Sequence, residues 1–177
     1  MAPRRSRRVP ADVDPRETCL RLLAHAPRTR AQLAEALRRR GVPDETVEHV
    51  LGRFAEVGLI DDEAFARAWV QSRHMGRGLA RRALAVELRQ RGVDEPTVDE
   101  AVAELDQEEE VATARALVQR RLQATRGLDP KVRMRRLLGM LARKGYPGGL
   151  AYRLVREELE AGGESLDGLP DHGFDDP

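Results

Sequence analysis

LRRRGV, at residues 37–42, returns as LRQRGV at 88–93 and, more loosely, as LARKGY at 141–146. An arginine-rich hexamer has two readings, a phosphate-binding motif or the punctuation that ends a helix, and they predict different proteins. Aligned on Gly41, Gly92 and Gly145, the copies lie 51 and 53 residues apart, a period long enough for two or three helices per repeat. The apolar residues keep the same register. Leu33, Leu84 and Leu137 stand eight before each glycine, and Leu37, Leu88 and Leu141 four before, so each pair is one turn apart on a helix face. The hexamer is therefore read as the end of a repeated helix. A glycine just past the last turn takes the left-handed conformation that stops a helix, and basic residues in that turn oppose the helix dipole. Gly41, Gly92 and Gly145 are the expected helix stops.

Working outward, a second periodic segment follows each glycine: Val47, Val50, Leu51 and Phe54, then Val98, Ala101, Val102 and Leu105, then Ala151, Leu154, Val155 and Leu159. A further helix precedes each copy. Asp14, Pro15 and Glu17 make a capped start. In LIDDEAF, Asp61 is the cap, Ile60 is placed to staple against Phe65, and Phe65 and Trp69 share a face. Asp61 is thus assigned a capping role, and Phe65, Leu84 and Leu88 core roles. The third unit opens with QEEEVATARALVQRRLQ, and TRGLDP leads to Asp129 as cap with Pro130 at the first helical position.

Composition agrees with helices. Only 3% of residues are aromatic, while Leu, Ala and Val stand beside Arg and Glu. The expected fold is all-α, three tandem three-helix repeats that stack into an elongated, curved array, because three short helices bury only a modest core alone. Expected boundaries are a basic disordered arm at 1–12, repeats at 13–60, 61–106 and 107–160, and an acidic disordered tail at 161–177. Neither end segment holds the apolar material needed to order itself.

The net charge is +1, but its distribution is uneven. RRSRR at 4–8 is basic, Asp94–Glu110 carries nine acids and no base, and Arg115–Lys144 carries ten bases against Asp129 alone. Arg82 and Arg89 lie seven apart and face away from the Leu84 and Leu88 stripe. Glu87 precedes Arg91 by four residues, the orientation that favours a helix ion pair. Upstream, SRHMGRGLARR sets Arg73, Arg77, Arg81 and Arg82 around Gly76 and Gly78, which reads as a basic, glycine-bearing connector able to meet phosphates or carboxylates.

Nothing points to catalysis. Cys19 is the sole cysteine, which excludes a disulfide framework or a cysteine-based zinc site within one chain and fits a reducing compartment. Asp61, Asp62 and Glu63 are explained by capping rather than by a metal. His25, His49, His74 and His172 fall in unrelated contexts, and Ser6, Ser72 and Ser165 lack a nucleophile-elbow setting. The GRG at 76–78 is neither a Walker motif nor a dinucleotide fingerprint. No cofactor, metal or catalytic residue is expected. With no apolar run near the roughly 20 residues that span a bilayer, no membrane association is expected either. A cytoplasmic monomer is anticipated.

The run LIDDEAFARAWVQSRHMGRGLARRALAVELRQRGV resembles the RecX family, regulators of the RecA recombinase. The likeness rests on DDEAFA with Phe65, the SR at Ser72 and Arg73, the basic connector, and Glu87, Leu88 and Gly92 at its end, and it extends through the flanking hexamers over about residues 14–160. It implies three tandem three-helix units without enzymatic activity. It also implies binding to RecA and to RecA filaments on single-stranded DNA, with inhibition of ATP hydrolysis, strand exchange and repressor cleavage. Direct binding of single-stranded DNA is left open. Arg73, Arg77, Arg81, Arg82 and Arg89 are the candidate contacts with RecA or DNA. The rival reading is a helix-turn-helix regulator of duplex DNA, against which Leu84–Arg91 is poor in base-reading side chains. A pure helical scaffold is the third.

Overall fold

A computed structural model describes residues 14–164 and Leu166. Among these are nine α-helices and no strand: α1 Pro15–His25, α2 Arg30–Arg39, α3 Asp44–Glu56, α4 Asp62–Arg77, α5 Arg81–Gln90, α6 Glu95–Ala103, α7 Gln107–Gln123, α8 Pro130–Arg143 and α9 Gly148–Ala161. The fold is all-α, three helices to each of three tandem repeats. No helix among the described residues is long and apolar enough to cross a membrane.

The starts follow the expected chemistry. Asp14 accepts from the Arg16 amide at 2.8 Å and Asp61 from the Ala64 amide at 2.8 Å. Asp129 accepts from the Lys131 amide at 2.9 Å, so the first orphan amides of α1, α4 and α8 are satisfied by side chains. At α2, Thr29 and Gln32 form a reciprocal capping box. The stops follow too. Gly41, Gly92 and Gly145 have φ of 80°, 76° and 87°, the left-handed region in which an L side chain costs about 1–2 kcal/mol.

The chain forms two compact units. One comprises the described residues up to Ala68 together with Leu88–Val98, the other Trp69–Glu87 together with the described residues from Asp99 on. In the first, Leu33 and Leu37 of α2 pack with Val47, Leu51 and Phe54 of α3 and with Cys19 of α1. In the second, Leu137 and Leu141 of α8 pack with Leu154 and Leu159 of α9 and with Val118 of α7. Each buried leucine contributes about 1.5–3 kcal/mol relative to exposure. Leu84 and Leu88 are fully buried, whereas Phe65 is only half-buried. Burial pushes the Cys19 thiol up despite the nearby Arg40, so the thiolate, the reactive form, is disfavoured.

The basic arm lies outside the described residues, as do Ser6, Ser165 and His172. Of the segment expected to be a disordered tail, Ala161–Glu164 are described, and they are ordered. Ala161 ends α9, and the Glu164 carboxylate pairs with Arg133, which is buried and also donates from Nε to the Thr125 hydroxyl at 3.2 Å. An acid beside a glycine pair reads as tail by composition; a buried guanidinium awaiting a partner is a tertiary fact.

Candidate functional site

The basic run at 73–82 is not a loop connector. α4 continues through Gly76 to Arg77 and stops at Gly78, whose φ is 63° and whose amide donates to the His74 carbonyl at 2.8 Å. Only Gly78, Leu79 and Ala80 separate α4 from α5. A single glycine inside a helix costs about 1 kcal/mol relative to alanine, too little to end one whose other face is packed: Ala66, Val70 and His74 of α4 are buried. Arg73 and Arg77 therefore project from the last turns of α4, and Arg81 and Arg82 from the first turn of α5.

Glu87 gathers the first two. Trp69 donates from Nε1 to its Oε2 at 2.9 Å, Arg73 Nε lies 3.9 Å from the same oxygen, and Arg77 donates from Nη1 to Oε1 at 3.3 Å. The Arg73 guanidinium also stands 4.2 Å over the Trp69 ring, within range of a cation–π attraction of about 0.5–1 kcal/mol where exposed. The carboxylate that the sequence pairs with Arg91 is thus the hub of a cluster joining α4 to α5. Indole, carboxylate and guanidinium form a rigid edge, with the Arg77 side chain exposed beyond it.

Arg81 turns inward. Its main-chain amide donates to Glu110 Oε1 at 2.9 Å, its Nε lies 3.7 Å from Glu110 Oε2, and its Nη2 donates to the Leu105 carbonyl. Glu110 is itself buried, so this pair is part of the packing of α5 against α7. Arg82 is exposed. Arg89 is exposed and donates from Nε to Glu95 Oε2 at 2.8 Å, which holds the Glu95 carboxyl below its usual range. Of the five arginines, Arg73 and Arg77 share one partner, Arg81 is committed inside the chain, Arg89 pairs with Glu95 at the surface, and Arg82 is exposed on α5.

Three groups beside this edge were not singled out by sequence reasoning. His74 is buried with Nδ1 2.9 Å from the Leu79 carbonyl and Nε2 2.9 Å from the Thr113 hydroxyl. Since a carbonyl only accepts, the proton sits on Nδ1 and the ring locks α4 to α7. Lys144 and Arg120 stand with Arg77 around a cavity of about 450 Å³. Lys144 donates from Nζ to the Arg77 carbonyl at 2.6 Å. Its ammonium is pushed below its ordinary range by burial, and further by Arg77 and Arg120. The signal in the sequence was the ten-base run; which of its members meet is decided by the packing of α4, α7 and α8.

Comparison with known proteins bears on all nine helices. Residues 16–54 match the first three-helix domain of RecX, 61–102 the second and 108–155 the third. The chain is 69% identical over 152 residues to the regulatory protein RecX of Thermobifida fusca, covering 86% of this chain and 82% of that one. It is 63% identical over 159 residues to that of Streptomyces coelicolor, covering 90% and 85%. A crystal structure of RecX from Lactobacillus salivarius superposes with a TM-score of 0.74 at 15% identity, covering 81% of this chain and 93% of that one. At that identity the superposition speaks to the fold alone. With the three domains present in order, and relatives this similar over most of their length, the chain belongs to the RecX family of regulatory proteins.

Proposed function

We propose that this chain is a non-enzymatic regulator that binds RecA and RecA filaments on single-stranded DNA and restrains ATP hydrolysis, strand exchange and coprotease activity. The observation that carries the reading is the ordered presence of all three RecX domains in one chain, 69% identical to a relative named as a regulatory protein. The outward arginines of α4 and α5 supply the contacts: Arg73, Arg77, Arg82 and Arg89 meet the partner, and Arg81 positions α5 through Glu110. Positive side chains of this kind speed encounter with an acidic or phosphate-bearing surface. A regulator of this type shifts a filament between states only by the difference in its affinity for them. Several separate contacts along one chain then add as avidity.

Titrating the protein into RecA on single-stranded DNA and following ATP hydrolysis tests the reading. Progressive inhibition is expected, and Arg82→Glu should require about tenfold more protein for the same effect, equivalent to about 1.4 kcal/mol, with unchanged helicity by circular dichroism. Absence of both inhibition and filament binding at saturation would sink the proposal. A footprint at one duplex site without RecA would replace it with a sequence-reading regulator.

A further inference from the structure

Arg77 ends α4, Arg120 lies in the last turns of α7, and Lys144 follows the last residue of α8, so three elements bring one cation each to a single cavity of about 450 Å³. The Lys144 ammonium is anchored on the Arg77 carbonyl at 2.6 Å, which fixes its position and leaves two of its three protons to donate elsewhere. Arg77 is partly compensated by Glu87 at 3.3 Å, and Glu109 is the acid on the lining. Neither Arg120 nor Lys144 has an ion-pair partner among the described residues. Like charges held together in a partly enclosed space repel one another, and an anion seated among them relieves that repulsion. Burial is the first cause of the downward shift of the Lys144 ammonium, and the two arginines add to it.

We infer that Arg77, Arg120 and Lys144 form a phosphate site, placed to hold one backbone phosphate of a single DNA strand. The cavity opens beside Met75, which is 74% exposed and also lines it. A polarizable thioether next to a phosphate seat offers an apolar surface to the neighbouring base, which a free phosphate would not use. The Thr113 hydroxyl, also on the lining, donates its proton to His74 Nε2 at 2.9 Å, so the cations are the donors of the site. The assignment rests on the filament-binding reading and names the nucleic-acid contact within it.

Fluorescence anisotropy of the full chain with a labelled oligothymidylate tests it, with Arg120→Glu and Lys144→Gln as site variants. Arg21→Glu, exposed on α1, is the control for bulk charge. Arg120→Glu is expected to weaken binding about tenfold and to lower the slope of log affinity against log salt by about 0.7, the increment for one single-strand phosphate. Lys144→Gln should weaken it less, and Arg21→Glu by under about twofold, as an unplaced charge does. Equal losses for Arg120→Glu and Arg21→Glu would overturn the site. In a second arm, sodium phosphate is titrated against the amide resonances of Thr113 and Arg120; saturation by phosphate that the oligonucleotide does not displace would overturn the strand assignment in favour of a free anion. RecA ATP hydrolysis is measured in parallel. Wild-type inhibition with unaltered oligonucleotide binding by both site variants removes the site and leaves the regulator. A selective loss in Arg120→Glu with no wild-type inhibition of RecA removes the regulator and leaves the site.

Discussion

At the start of α2 a threonine hydroxyl reaches the end of another helix, whereas at the start of α5 a main-chain amide does so. Thr29 Oγ1 donates to the Arg91 carbonyl at 2.6 Å; the Ala80 amide donates to the Lys144 carbonyl at 2.8 Å, and the Tyr146 hydroxyl adds a bond to the Gly78 carbonyl at 3.0 Å. The next residue repeats the contrast. The Arg30 amide is held by the Asp62 carboxylate at 2.9 Å and the Arg81 amide by Glu110 at 2.9 Å, one acid from the first residue of α4 and the other from the first turn of α7. In both places a second helix sets its positive end on the negative end of the following repeat's second helix, and a carboxylate from that repeat's first helix closes the seat. The partial charges of the two dipoles favour this arrangement. What is constant is the meeting of helix ends, and the glycine that permits it. A β-carbon on Gly92 would stand 2.3 Å from the Ala31 β-carbon, and one on Gly145 2.5 Å from the Ala83 amide nitrogen.

The largest effect is expected where a side chain is added at the second seat. Gly145→Ala combines a φ of 87° with the clash against Ala83 and should cost about 2–5 kcal/mol, the sum of a left-handed penalty and an overpacked contact. Gly58→Ala has φ 74° and open space, so its cost should stay near 1–2 kcal/mol. Urea denaturation of the two separates conformation from close approach, and equal losses would mean that the seat is looser than its geometry. The first seat breaks differently. Thr29→Val removes the Arg91 bond and half of the capping box at a fully buried position, a loss of about 1–3 kcal/mol. Thr29→Ser should retain most of it, and amide exchange at the start of α2 reports where the loss falls.

The smallest effect sharpens the role of Asp62. Burial raises its carboxyl above the ordinary 3.8, with the Arg30 amide opposing. The folded chain therefore keeps this proton to a higher pH than the unfolded chain does. The resulting contribution to stability is complete below 3.8 and fades as pH rises through the raised folded value. Asp62→Asn keeps an acceptor for the Arg30 amide and should flatten the decline in stability over that window in acid denaturation profiles. An unchanged slope would place the titration elsewhere.

The repeats were legible because their signals are local. A glycine at a fixed distance from two leucines, and a capping acid before a proline, act within one helix. The hexamers were read as helix ends, and the left-handed Gly41, Gly92 and Gly145 stand at the ends of α2, α5 and α8. What each end rests on was not legible. Nothing local ties Arg91 to Thr29, 62 residues earlier, or Lys144 to Arg77, 67 residues earlier. The basic run misled because two glycines within three residues suggest a loop, while the packed face of α4 carries the helix past the first. Glu87 was legible only in part: its spacing to Arg91 is a helix rule, while nothing local announces the tryptophan and the two arginines of α4 that reach its carboxylate.

The start of α5 has its register fixed by another helix end, through the Ala80 amide on the Lys144 carbonyl. α2 and α5 are each ten residues long, about 15 Å at 1.5 Å per residue. α8 has fourteen, the extra turn lying at its start, where Asp129 caps it. One residue inserted between Ala80 and Glu87 would rotate the Glu87 carboxylate by about 100° around the α5 axis relative to the Ala80 amide, so the Ala80 bond to Lys144 could be kept only by losing the Trp69 and Arg77 bonds to Glu87. The spacing from Ala80 to Glu87 is thus held at both of its ends, whereas the start of α8 is set by its own cap at Asp129.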